Sequence, residues 1–474
     1  MSKKLQRSVL SLTLASMLGG CALFHSETKP ALQPYERWRS ENPAPSASDV
    51  DAELAHDFWT AFDDPTLNQL MDLAFVANPD VRIAAANVEN YRARVTATGA
   101  DRFPQLGLGA QAARGKGGDF PPKPANAFSV GLNLTWEIDL WGRLARATDA
   151  ARADLLAQRE VQRGIWLSLA SSVAQGYFTL RQLDSQLEIS RSTLALRKTS
   201  LDLFQLRFDG GVISEVELAQ VRSEYEQAVS AVPQIEAAIG KAENALSVLL
   251  GRNPGPIERG KALADLRDPD VPAGLPSQLL TRRPDIRSAE AQLAAADARV
   301  DAARLAWFPS ISLTGLFGVA SGDLSALFND GNQVWSGVAG LTQPIFDAGR
   351  IGASVDSARA TREALVAQYQ KTVQNAFREV DDALVSRVKL REQLAASTRQ
   401  VEALTRYAEL AKLRYENGYT SYLEVIDADR ALFSADLNRI ATQSAVLGAS
   451  LELYRALGGA WMDKRIEAQA KPAG

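Results

Sequence analysis

Phe128-Ser129-Val130-Gly131-Leu132-Asn133-Leu134-Thr135-Trp136-Glu137-Ile138-Asp139 is the stretch whose pattern decides the fold. Phe128, Val130, Leu132, Leu134, Trp136 and Ile138 alternate with small or polar residues, the period of a strand with one greasy and one wet face. Leu106, Leu108, Ala110 and Ala112 make a weaker partner, so residues of about 104–140 read as a hairpin whose loop, 115–125, holds three prolines. The period then changes. Residues 142–208 lack proline, contain only Gly164 and Gly176 in their interior, and repeat Leu180, Leu187, Leu194, Leu201 and Phe208 every seven positions. That predicts one long helix in coiled-coil-like packing, about 100 Å long at 1.5 Å per residue. Gly210-Gly211 stops it, and residues of about 215–250 return as a shorter helix, with a kink expected at Pro233.

The unit occurs twice. Pro79-Asp80, Arg82 and Ala84 recur as Pro284-Asp285, Arg287 and Ala289, and Phe103-Pro104 as Phe308-Pro309, at an offset of 205. From Gly142-Arg143 and Gly349-Arg350 onward the offset is 207, through Leu206-Arg207, Gly211, Ser214 and Glu217 against Leu413-Arg414, Gly418, Ser421 and Glu424. The two-residue difference places a loop between 104 and 142. A first repeat of 53–260 and a second of 261–474 follow. The second has a hairpin of about 309–346, whose alternation is broken by Leu316 and Val338, and a long helix of about 350–416 with Val366, Val373 and Val380 seven apart. Its turn is Asn417-Gly418, its return helix is about 422–457, and a C-terminal segment ends it. The helix before each hairpin and the return helix together nearly match the long helix in length. Two short helices laid end to end beside each long one would give a uniform helical wall.

The first twenty residues carry Lys3, Lys4 and Arg7, then an apolar run of 11 residues from Ser8 to Leu18, the layout of an export signal too short to span a bilayer. It ends Leu18-Gly19-Gly20-Cys21, which resembles a bacterial lipobox. That resemblance implies a signal peptide of 1–20 and a lipid on Cys21, with Ala22 directing the product to the outer membrane. Residues 21–52, with Pro30, Pro34, Pro43 and Pro45, read as a lipidated tether. No 18-residue apolar stretch follows, so any membrane crossing falls to strands.

Of the 474 residues only two are His and one is Cys, which leaves no basis for a zinc cluster, a disulfide framework or a His- or Cys-based dyad. The net charge of −4 becomes −7 without the three cations of the signal (−4 − 3 = −7), the wrong sign for a nucleic-acid partner. No enzyme chemistry and no cofactor beyond the covalent lipid is expected. Four strands cannot close a barrel, and open edges in lipid are prohibitively costly, so the chain must oligomerise. A dimer's eight strands would fill with side chains, whereas a trimer's twelve leave a lumen, suited by the polar face of Ser129, Asn133, Thr135, Glu137 and Asp139. Trp136, Trp141 and Trp335 suggest a membrane rim. These features disfavour the contrasting reading, a periplasmic coiled-coil scaffold lipoprotein.

Phe62-Asp63-Asp64-Pro65-Thr66-Leu67 with Asn78-Pro79-Asp80, Gly274-Leu275-Pro276-Ser277 with Leu280-Thr281-Arg282-Arg283-Pro284-Asp285-Ile286-Arg287, and Ile426-Asp427-Ala428-Asp429-Arg430-Ala431-Leu432-Phe433 are similar to motifs of one family. The chain resembles, over about residues 30–460, the TolC-like outer-membrane factors of tripartite efflux pumps, in their lipoprotein branch. The resemblance implies an α+β membrane protein, a homotrimer with a twelve-stranded β-barrel and a long α-helical periplasmic barrel. It implies a periplasmic adaptor and an inner-membrane, proton-driven RND-type transporter as partners, outer-membrane lipid around the barrel, and passive export of drugs or other solutes. A type I protein-secretion duct is the related alternative.

By the same resemblance the turns Gly210, Gly211, Asn417 and Gly418 are the periplasmic tips, and Glu424 and Asp427 form the periplasmic gate. Three residues apart, they share a helix face, and three copies would supply six carboxylates that draw cations. Tyr415 and Glu217 match a tip latch, while Thr420 stands where some members carry an arginine. Other candidates fall away. Gly115-Lys116-Gly117-Gly118 lacks the Lys-Ser/Thr ending of a phosphate loop; His25, His56, Asp63-Asp64 and Asp381-Asp382 read as surface or helix-start residues.

Overall fold

Alternation along a strand matters only once strands are paired. In a computed structural model, which describes residues 35, 38, 57–117, 121–271, 276–458 (276 and 277 as backbone only) and 462, four strands form one antiparallel meander in chain order. They are β1 (Gln105–Gly115), β2 (Ala125–Ile138), β3 (Ser310–Ser321) and β4 (Gln333–Thr342). The β2–β3 pairing joins the hairpins of the two repeats. Because register fixes which side chains share a face, Leu108, Leu132, Phe317 and Trp335 fall in one row across all four strands, each between 45 and 79% exposed. The opposite face carries Gln105, Thr135 and Thr314 in one row and Gly109, Gly131 and Gly318 in another. The pairing of β3 with β4 runs unbroken from Ser310↔Thr342 to Val319↔Gln333. The out-of-phase Leu316 and Val338 therefore mark no bulge; they are apolar residues on the polar face. Gly318 has a steric reason, since a Cβ there would overlap the Val130 carbonyl on the neighbouring strand.

Side chains fasten the junctions between helix and strand, and one of these links recurs in both repeats. Trp136 Nε1 donates to the Arg102 carbonyl at 3.0 Å, and Gln343 Nε2 does the same to the Trp307 carbonyl at 2.8 Å. Trp141 stacks on Phe308 and donates to the Pro309 carbonyl at 2.7 Å. Glu137 pairs with Arg143, and Asp139, beyond the end of β2, accepts the Leu144 and Ala145 amides at 3.0 and 2.7 Å. These four side chains, expected at a rim or on a wet face, are taken up in turning strand into helix. Phe103, Leu140, Trp307, Ile345 and Phe346 are the exposed apolar residues at the same junctions.

The helices are α1 (Pro65–Ala77), α2 (Pro79–Ala100), α3 (Arg143–Asp209), α4 (Glu215–Leu249), α5 (Pro276–Arg282), α6 (Pro284–Leu305), α7 (Arg350–Glu416) and α8 (Tyr422–Leu457). Both α3 and α7 run 67 residues, and α4 continues through Pro233. Of the expected heptad in α3, Leu180 is fully buried while Leu187, Leu194, Leu201 and Phe208 are only half-buried; towards the turn the buried seven-residue seam is Ser190, Arg197 and Phe204.

Compactness cuts across the repeat. One unit comprises Asn87–Arg159 and Ser288–Lys371, holding the sheet and the adjoining helical segments. The other comprises the described residues of Pro34–Ala86, Glu160–Arg287 and Thr372–Gly474, and its core centres on Trp59, Phe62, Trp166, Tyr177, Phe178 and Tyr454. Within this second unit α2 starts where α4 ends and α6 starts where α8 ends. Asn78 caps α2 and donates to the Leu249 carbonyl at 2.8 Å; Arg283, paired with Asp285 and Glu379, donates to the Ala456 carbonyl at 2.9 Å. Gly251 and Gly458, both with positive φ, let the chain turn away at these joints. Asp64 caps α1 and accepts the Tyr177 hydroxyl at 2.6 Å. Two residues of the expected tether belong to this unit as well: Trp38 is buried, and Tyr35 stacks on Phe377 and hydrogen-bonds Asp381.

Candidate functional site

The two helical turns share one backbone. In the first, the Gly210, Gly211 and Val212 amides bond the Leu206, Phe208 and Arg207 carbonyls at 3.1, 2.8 and 2.9 Å. In the second, Asn417, Gly418 and Tyr419 bond Leu413, Tyr415 and Arg414 at 3.2, 3.0 and 2.9 Å. Gly211 and Gly418 take φ of 72° and 75°, the left-handed region that closes a helix C-terminus. Behind them lies a small core, Phe204, Leu218, Val221 and Ile426, against which Tyr415 and Tyr422 pack. The Phe204 and Tyr422 rings are 4.2 Å apart.

The side chains break the symmetry. Glu217 completes a capping box with Ser214, accepting that residue's amide at 2.9 Å while Ser214 Oγ accepts the Glu217 amide at 3.3 Å. Tyr415 accepts Arg207 Nη1 at 2.6 Å. The two residues expected to form a latch thus have separate partners within one chain. Glu424 stands where Glu217 stands in the first repeat, yet Ser421 makes no side-chain cap. Instead Glu424 accepts Arg414 Nη1 at 2.6 Å and the Thr420 hydroxyl. Asp427 is exposed one turn further along α8, and its charge reaches Arg430. Cys21 lies outside the described residues.

One cluster near the turns was not among the expected site residues, although Asp429 and Arg430 fall within the motif of residues 426–433. The buried Glu224 of α4 sits between Arg197 of α3, at 3.1 Å, and Arg430 of α8, and so ties the two helical hairpins together. Asp429 faces it, and burial lifts its carboxyl above the usual range, only partly offset by Arg197 and Lys412. The available signal was a charged residue, Arg197, standing between the heptad residues Leu194 and Leu201. Among the described residues no group of His, Cys, Asp and Glu is placed to hold a metal ion.

The family model "Outer membrane efflux protein" matches residues 70–252 and 275–459, one segment on each repeat. The chain belongs to this family. It is 38% identical over 456 residues to the solvent efflux pump outer membrane protein SrpC of Pseudomonas putida, covering 94% of this chain and 96% of that one. It is 36% identical over 458 residues to the cation efflux system protein CusC of Escherichia coli K12, covering 95% and 99%. Among solved structures, the open state of the MtrE outer membrane channel of Neisseria gonorrhoeae is 30% identical, covers 93% of this chain and 99% of that one, and superimposes with a TM-score of 0.83. The expected resemblance to outer-membrane factors therefore holds. The protein is an outer-membrane efflux channel component with the TolC-like α+β fold, reaching into the periplasm.

Proposed function

We propose that three copies close one twelve-stranded barrel and form the passive exit duct of a tripartite pump, joined to a periplasmic adaptor and an inner-membrane RND-type transporter. The observation that carries this reading is the sheet itself: two opposite faces, one greasy and one polar, and edges at β1 and β4 that have no strand partner among the described residues. Lipid covers the row from Leu108 to Trp335, and the other face lines water. A lipid on Cys21 adds an anchor. Adaptor docking falls on the turns, where exposed apolar residues recur in matched positions: Leu203 and Leu410, Leu206 and Leu413, Val212 and Tyr419, Val216 and Leu423. Glu424 and Asp427 form the gate, and Tyr415 and Glu217 would latch neighbouring copies. Transport through such a duct involves no chemical step.

Single-channel recording in planar bilayers tests the reading. The purified protein is expected to conduct with a preference for cations, and Glu424→Ala with Asp427→Ala to raise conductance and weaken that preference. A protein that inserts but never conducts would refute the duct; an unchanged ion preference in the double variant would refute the gate.

A further inference from the structure

The internal repeat contains its own control experiment. Ser214 and Ser421, 207 residues apart, have the same extended backbone, φ −79°, ψ 155° and φ −78°, ψ 160°. Each is followed three residues later by a glutamate, Glu217 or Glu424, and each turn is preceded by an arginine at the same place, Arg207 or Arg414. The first turn makes the capping box; the second leaves it open although its backbone is already set for it. The cause lies in two neighbours. Thr420 offers Glu424 a hydroxyl where the first turn has the apolar Ile213, and Arg414 binds Glu424 whereas Arg207 is drawn away to Tyr415. Glu424 therefore has two available partners sets within reach of one side chain, and an exposed ion pair and a helix cap are of comparable strength.

We propose that Glu424 is a two-position switch: held by Arg414 and Thr420 in the state seen, and caught by the Ser421 capping box when the ends of α7 and α8 are pulled apart as the gate opens. This rests on the gate reading above and adds to it. The carboxylate's charge is neutralised by Arg414 in one position and set on the start of α8, where the helix dipole favours it, in the other. Movement then requires one side-chain rotation and no refolding of the turn.

The test uses the full-length acylated protein in lipid nanodiscs and planar bilayers, with Arg414→Gln, Ser421→Ala and the two combined. Hydrogen exchange at the Ser421 amide reads the box directly, because the equivalent Ser214 amide donates to Glu217. Arg414→Gln is expected to slow that exchange about fivefold, the factor an ordinary cap supplies, and to raise the open-channel conductance. Ser421→Ala alone should leave the resting exchange at the wild-type rate but lower the fraction of time the channel is open, and in the Arg414→Gln background it should shrink the slowing, because the carboxylate loses the hydroxyl that in the first turn holds it beside the amide. Exchange that does not slow in Arg414→Gln overturns the switch, as does slowing without any change in conductance. A wild type that carries no current refutes the duct instead, while the exchange arm still judges whether Glu424 changes partners.

Discussion

Asp429 shows how a single half-buried carboxylate can work against the fold that holds it. Burial raises its pKa, Glu224 adds to the shift, and Arg197 and Lys412 counter it in part. The folded state therefore keeps the proton to higher pH than the unfolded chain does, and stability falls as pH rises from the ordinary carboxylate value through the raised one. Above that window the half-buried charge is a net cost. Asp429→Asn is expected to be more stable than the wild type at pH 7, with the advantage shrinking as the pH drops through the same window; thermal denaturation at several pH values measures it. Arg197 and Glu224 owe their importance to spatial neighbours 27 positions or more away in sequence, Glu224 from Arg197 and Arg430 from Glu224 further still, so no motif could show them. The turn glycines were legible because only a residue without Cβ takes their backbone at no cost. The second partner of Glu424 was not, since Ser421 and Glu424 spell the same box as Ser214 and Glu217.

At the level of elements, β2 and the long helices announced themselves most clearly, because each keeps its phase for ten residues or more, and the weaker alternation of the other strands was read by repeating the unit. What periodicity cannot give is the partner. The leucine heptad of α3 was visible and its first member, Leu180, is fully buried, yet from there to the turn the buried seam is Ser190, Arg197 and Phe204, set by the helices that lie against it. Likewise the prolines of residues 21–52 suggested a tether, but the packing of Tyr35 and Trp38 on Phe377 was not legible, as two aromatic residues in a proline-rich stretch carry no period. Gly318 makes an element-scale prediction. Its approach to Val130 leaves no room for a methyl group, and backbone cannot step aside as a flexible side chain can. Gly318→Ala should cost about 1–3 kcal/mol, seen as a lower heat-resistance of the assembled barrel on unheated gels while helical circular dichroism stays near the wild-type level.

For the whole molecule, the unpaired edges are the feature with the widest reach. On the greasy face the outward residues are even-numbered in β1, as in Leu106 and Leu108, and odd-numbered in β4, as in Trp335. If β4 of one copy pairs with β1 of the next, faces must match, so an even position meets an odd one. The single native cysteine, Cys21, is expected to be blocked by lipid, which leaves a clean background for engineered thiols. Cysteine pairs placed even with odd along the two edges should include one that links chains into a ladder ending at three. Pairs placed even with even should stay monomeric on denaturing gels, and abundant linkage among those would contradict the barrel.

The unequal turns bear on how such a duct could be operated. Around the proposed wall of three chains, the capped turn and the uncapped turn would alternate, giving six staves of which, if Glu424 switches as proposed, only every second one would tilt. A surrounding collar of identical partner molecules would then find two kinds of seat in strict succession, and tightening its grip uniformly would still produce a three-lobed aperture.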